Sequence, residues 1–461
     1  MATGAGGEAM SGLTRQLGTF VAALRYEAIP PELFTQLRNG FTDYAAVTLL
    51  GRNDDVTRAL RAVLAPGQAQ GEARICFGAL RSHGPDAALI SGAASHAQDY
   101  DDVGLVGVQP THPSAAIAPA IFAEAEALGR DGRAMLTAYA AAFEVWGDLA
   151  ARESDPPHVK GWHPTGTFGA IAAAAACAHL RGLDEARAAH ALGIAASMAA
   201  GFIANFGSMT KPFHAGRAAQ SGVLAARLAQ AGMTASSDAL ESPVGFLAAI
   251  SPKGAVDRAS LPRCGERWFL ATHGLGFKLF PMCYGAHRAL DGLFTLLGEQ
   301  PFTAEEVESI EVHATRLQFA NLVHDNPQNG LDAKFSMEFA MAVPIIAGRV
   351  TEAEFTSAFV QRADVKALMG QVRRVFLPPP DKGVAPHDKI MLRLRDGRLL
   401  EQMLRAPMGH ADRPPTAQAL WTKFADCVGD ALTPSDARRL FDQLQHLDQL
   451  ASVNDLPVAA A

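Results

Sequence analysis

The chain has 461 residues, about half of them apolar, which is enough to bury a sizeable core across two or three domains. Its formal net charge of −7 argues against nucleic acid or an anionic membrane as the main partner, while a local cationic pocket can still take a small anion. Five scattered cysteines (Cys76, Cys177, Cys264, Cys283, Cys427), with no C-x-x-C pair and no histidine at ligand spacing, read as reduced thiols with no structural zinc. The opening MATGAGGEAMSG lacks the basic flank and apolar core of a signal peptide, and no apolar run is long enough to span a membrane. The expectation is a cytoplasmic protein.

From residue 11 to about 260 the apolar periodicity is helical almost throughout. ELFTQLRNGFTDYAAVTLLGR and RDGRAMLTAYAAAFEVWGDLAARE repeat apolar residues at three- and four-residue spacing, and LDEARAAHALGIAASMAAG opens on an Asp cap at 184. The abundance of Ala and Gly predicts helices packed closely, with small residues at their crossings. Near residue 262 the character changes, and EVESIEVHAT, QVRRVFLPP, DKIMLRLRDG and RLLEQMLRAP alternate as strands do, with a DG turn joining the last two. Helices are expected at 282–298, 334–347 and 352–369, and helix returns over 414–452. The fold class expected is mainly α: an all-α domain built from 11–262 and 409–455, with a smaller α+β domain, 263–408, inserted. The first ten and last eight residues read as disordered.

Three helices open on an ionisable side chain placed before a proline: His112-Pro113, His163-Pro164 and Lys211-Pro212. A residue before proline is pushed into extended backbone, and proline suits the first helical position. Each side chain is therefore expected at or just outside a helix N-terminus, whose positive end disfavours added positive charge and whose free N–H groups attract carboxylate. Neutral imidazoles beside an anion site suit acid–base chemistry. The competing reading is three unrelated helix caps. Upstream lies SHAQDYDDVGLVGVQ, with His96, Asp99, Asp101 and Asp102; such a loop serves turn and cap chemistry or ligates a cation, but it lacks the third acid of a D-D-x-x-D magnesium element.

These stretches, with ESPVGFL and FKLFPMCYGAHRALD, resemble the MmgE/PrpD family over nearly the whole chain. That family includes 2-methylcitrate dehydratase, cis-aconitate decarboxylase and iminodisuccinate epimerase. The resemblance implies a helical domain from both chain ends, an α+β lid, a homodimer, and chemistry on small polycarboxylates between the two domains without metal or organic cofactor. It places Asp99 on the first acid of the D-[FY]-D-D element, His112 on the H-P-S histidine, His163 on the H-x-T-G histidine, Lys211 on the M-x-K-P lysine and Lys278 on the K-x-F-P lysine. The chain departs from the family at Cys283, where decarboxylases have a histidine, at Val103 in place of Thr, and at Ala115-Ala116 in place of the Asp-Asn of the dehydratases.

The roles implied are His112 and His163 as general acid and base, Asp99 orienting one of them, and Lys211 and Lys278 on substrate carboxylates. Contacts with the bound anion are expected from His214, Arg217, Cys283 and His287, with helix packing as the competing role for each. The function expected is a cofactor-free lyase that dehydrates or decarboxylates a di- or tricarboxylate through a carboxylate-stabilised carbanion. The alternatives are an epimerase or isomerase using the same residues, and a non-catalytic member that binds a ligand or partner.

Overall fold

The computed structural model describes residues 12–65, 70–104, 111–379 and 387–460, so the expectation for the first ten residues lies outside it. The chain is mainly α and divides into two compact units. One takes the chain up to Ala97, Asp101–Leu275 and the residues from Cys427 on; the other takes Gln98–Tyr100 and Gly276–Asp426.

The first unit is a helical bundle. Its long helices are α1 (Leu13–Ala23), α2 (Phe34–Leu50), α3 (Asp55–Leu64), α4 (Gly84–His96), α5 (Pro113–Leu128), α6 (Gly132–Ala151), α7 (Pro164–Leu180), α8 (Glu185–Met198) and α9 (Thr210–Gln230). Helix α7 is apolar on every side, as a helix must be when it has no solvent face, and every residue but His179 is buried. Around it pack α5, α6, α8 and α9. The crossings rest on small residues: a Cβ built on Gly222 of α9 would lie 2.5 Å from the carbonyl carbon of Ala173 in α7. Polar caps set the helix starts, with the side chains of Asp54, Asp131 and Asp184 accepting from Val56, Ala134 and Arg187 amides. Gly129 ends α5 in the left-handed region, with φ 63°. Before residue 250 the described residues hold only two-residue strands.

The Pro- and aromatic-rich stretch up to Leu275, grouped with the strands by its composition, falls in this helical unit. Buried Glu144 of α6 explains the attachment, since its two carboxylate oxygens accept from the amides of Phe269 and Leu270 at 3.0 and 3.1 Å.

The second unit holds helix α10 (His287–Glu299), strand β1 (Val307–Thr315), helix α11 (Met337–Ala347) and strands β2 (Val372–Leu377), β3 (Asp388–Leu394) and β4 (Leu399–Leu404). The sheet order is β2-β1-β3-β4, parallel between β1 and β2 and antiparallel elsewhere. Alternation puts Ile310, Val312, Ile390, Leu392 and Leu400 in one core with residues of α10 and α11. The helix expected over 352–369 is instead three short pieces, Glu352–Glu354, Ser357–Val360 and Ala363–Met369. Thr356 breaks the run: its backbone is extended and its hydroxyl caps the next piece through the Phe359 amide. The helix expected from 282 begins at His287, after a 3-10 turn.

Three buried lysines of this unit close on one short peptide. Lys334 donates to the carbonyl of Gln98 at 2.9 Å, Lys278 to that of Asp99 at 2.5 Å and Lys423 to that of Tyr100 at 2.7 Å. Asp99 sits between them in the left-handed region, with φ 53°, a conformation that Asp tolerates better than most residues.

Helix α12 (Ala417–Val428) leads out of the unit, and α13 (Pro434–Gln445) returns to the first. Gln445 of α13 donates to Asn39 and Thr42 of α2 at 3.2 and 2.8 Å. The last eight residues are ordered up to Ala460, contrary to expectation. Buried Arg74 holds the carbonyls of Val453 and Leu456, and Ala459 donates to Phe77.

Candidate active site

Both proline-gated histidines lie where the backbone argument puts them, outside a helix start. His112 and His163 are the N-caps of α5 and α7, both non-helical and the second extended, with Pro113 and Pro164 as first helical residues. Lys211 differs. Its helix starts one residue earlier, at Thr210, so Lys211 is helical and Pro212 falls in the first turn, where its missing N–H still costs no helical bond. Backbone bonds tie the two histidine ends down: His112 N donates to the hydroxyl of Thr165 in α7 at 3.2 Å, and His163 N to the Gly201 carbonyl at 2.9 Å.

These side chains meet within the helical unit. Nδ1 of His112 is 2.9 Å from Oδ2 of Asp101 and 3.0 Å from the carbonyl oxygen of Asp102. His96, the last residue of α4, presents its Nδ1 to the same Asp101 carboxylate at 2.9 Å. The His96 ring centroid is 4.5 Å from that of His112 and 6.1 Å from that of His163. His163 in turn faces His214 of α9, Nδ1 to Nδ1 at 3.1 Å, so that one ring donates and the other accepts. The edge of Phe206 meets the His163 ring at 4.9 Å, and the Lys211 ammonium lies over Phe206 at 5.4 Å.

Electrostatics keep this cluster largely neutral. Burial first, then His96, Lys211 and His214, hold His163 well below the usual imidazole range. Burial brings His96 down to about 4 against the pull of Asp101, and burial followed by His112 brings His158 down to about 4. His214 is lowered by burial and then by Lys211. Asp101 goes the other way: burial pushes it up, but His112 and His96 outweigh that and hold it ionised, well below the carboxylate range. The main cause of the neutral imidazoles is thus burial. The chemistry such a group supports is proton transfer beside an anion, with neutral rings as acid and base and one ammonium for charge. The ligand atoms of His96, Asp101 and His112 also lie within 4.8 Å of one another, close enough to hold a metal ion.

The other expected residues lie elsewhere in the local geometry. Arg217, a turn beyond His214, donates to Gln220 at 2.6 Å, and Gln220 to Asp86. In the second unit, Asp99 pairs with buried Lys278 at 3.2 Å. Cys283 is buried, and its amide donates to the Lys334 carbonyl. His287 is fully buried, bonded to the Met282 carbonyl at 3.1 Å, and lowered to about 3 by burial and then by Lys278. The carboxylate that meets the His112 imidazole is therefore Asp101, two residues past the one the sequence singles out. His96 and His158 were not assigned roles from sequence either; His158 stands alone in the sequence, and His96 ends an Ala-rich helix with no proline to mark it.

The chain matches the MmgE/PrpD N-terminal domain over residues 15–259 and the MmgE/PrpD C-terminal domain over 280–449. It is 28% identical over 382 residues to a protein of Homo sapiens named cis-aconitate decarboxylase, covering 79% of this chain and 76% of that one. A mouse protein of the same name is 28% identical over 377 residues, with the same coverage. One from Aspergillus terreus is 22% identical over 479 residues, 97% of this chain and 96% of that one.

Proposed function

The chain belongs to the MmgE/PrpD family, and we propose that it is a lyase that removes carbon dioxide or water from a small di- or tricarboxylate. One observation carries this reading: His96 and His112 both meet the ionised Asp101, the His163 ring lies 6.1 Å from that of His96 and faces His214, and the Lys211 charge acts on His96 and His163. Loss of CO₂ or water next to a carboxylate passes through a carbanion, which needs positive charge aimed at it and a proton carrier at hand. Lys211 supplies the fixed charge, and His112 and His163 move the proton. Relatives named cis-aconitate decarboxylase favour decarboxylation over dehydration.

The test is proton NMR of the purified protein in heavy water with cis-aconitate, citrate, 2-methylcitrate and iminodisuccinate. A lyase converts at least one of them with loss of CO₂ or water. Solvent deuterium entering a substrate with no group lost identifies an epimerase instead, and four unchanged spectra count against catalysis on this class.

A further inference from the structure

Asp101 is met by two imidazoles at once. Nδ1 of His96 lies 3.0 and 2.9 Å from its two oxygens, and Nδ1 of His112 lies 2.9 Å from Oδ2. An ionised carboxylate can only accept, so each ring brings a proton on Nδ1, and a neutral ring protonated there has a bare Nε2. The Asp102 carbonyl, 3.0 Å from the same His112 nitrogen, asks for the same tautomer. The His96 side chain is 0% exposed and its buried Nε2 has no hydrogen-bond partner, whereas the His112 side chain is 14% exposed. Of the two rings, His112 is the one a substrate can reach.

We propose that Asp101 is a positioning residue: it holds His112 with its proton on Nδ1, leaves Nε2 as the lone pair that exchanges a proton with the substrate carbon, and faces the imidazolium that results. The proposal rests on the lyase reading above. When a proton is removed, the C–H bond breaks, its electron pair stays on the carbon beside the substrate carboxylate, and the proton forms Nε2–H. In loss of water that electron pair then forms the C=C bond as hydroxide leaves with a proton. In loss of CO₂ the C–C bond breaks, its pair stays on the carbon, and the new C–H bond takes its proton from Nε2–H of a His112 that has first been protonated by solvent. His96 has a separate part. By donating to the same carboxylate, His96 shares Asp101 with His112 and steadies its orientation.

The groups around His112 make this an electrostatic statement about one pair. His96 and Asp101 face it from the end of α4 and the loop after it, His158 from the turn before α7, and His163 from α7 itself. Lys211 and His214 of α9 act on His163, and Lys211 also on His96. Asp102 accepts from Ser114, which also bonds Tyr139 of α6, and Asp43 of α2 acts on that tyrosine. Of the two acids beside the ring, Asp101 is the one whose carboxylate is in hydrogen-bond contact with its Nδ1.

The experiment has two arms. In the first, the whole protein labelled with nitrogen-15 histidine is examined by NMR without substrate; the expected result is a proton on Nδ1 of both His96 and His112. A proton on Nε2 of His112, or two bare Nδ1 atoms as when a cation sits between them, overturns the proposal. In the second, Asp101→Asn should lower kcat about a hundredfold or more with little change in KM, and the same NMR measurement should show His112 losing its single Nδ1–H form. An Asp101→Asn protein that keeps either its kcat or the Nδ1–H form of His112 overturns the proposal too. A wild-type protein that turns over no polycarboxylate refutes the lyase reading alone, since the tautomers are read without turnover.

Discussion

His163 combines three constraints that usually fall on different residues: an extended backbone ahead of a proline, a helix N-cap, and a ring enclosed by His214 and Phe206. Its backbone carbonyl receives the first amides of α7, from Gly166 and Thr167, and these bonds survive loss of the ring. His163→Ala should therefore reduce kcat by about 10²–10⁴ while unfolding remains a single cooperative transition. A variant that aggregates or melts broadly would show that the ring is mainly packing. Lys211→Ala should act on binding, at about 1.5–3 kcal/mol for a charged hydrogen bond, read as a KM raised roughly tenfold to 150-fold. The histidines were legible in the sequence because proline restricts the residue before it, a local rule. Lys211 obeys the rule less well, since its helix has already begun. The acids of DYDD were not separable by sequence. Which of them turns toward the imidazoles depends on the left-handed backbone at Asp99, and Asp99 itself goes to Lys278.

The helices were legible for a comparable reason. Ala-rich repeats at three- and four-residue spacing leave few alternatives, and the strands of the second unit alternate cleanly. The stretch 352–369 was not, because its apolar spacing suits a helix while the extended backbone at Thr356 interrupts it. Small residues at helix crossings yield a sharper prediction. In an exposed helix Gly222→Ala would stabilise by about 1 kcal/mol. Here the added methyl would lie 2.5 and 2.6 Å from backbone atoms of Ala173 and Ala174, and neither helix can move without disturbing the packing of α7 on its other neighbours. Overpacking of this kind costs about 1–3 kcal/mol, so the urea midpoint should fall. A midpoint that stays or rises would mean that the two helices separate easily.

At the scale of the whole molecule, the negative net charge argues against nucleic acid as the main partner, and among the described residues no helix is long and apolar enough to cross a membrane. What composition could not show is that the second unit is not one stretch of chain. Its three lysines donate to the carbonyls of Gln98, Asp99 and Tyr100, which arrive from 179 to 323 positions upstream. Taken out as 276–426, the unit would keep its sheet and its apolar core but lose those acceptors. Lys334 would keep Glu352 and the Pro281 carbonyl, but Lys278 would lose both the carbonyl and the carboxylate of Asp99, and breaking a buried pair costs about 3–5 kcal/mol. The excised fragment should therefore melt without cooperativity, and a synthetic peptide spanning 95–103 should restore a sharp transition in a saturable way. A fragment that folds equally well without the peptide would show that the lysines find other acceptors. The unit thus behaves like a lock sold in two parts: no pair of cuts in the chain can release it whole.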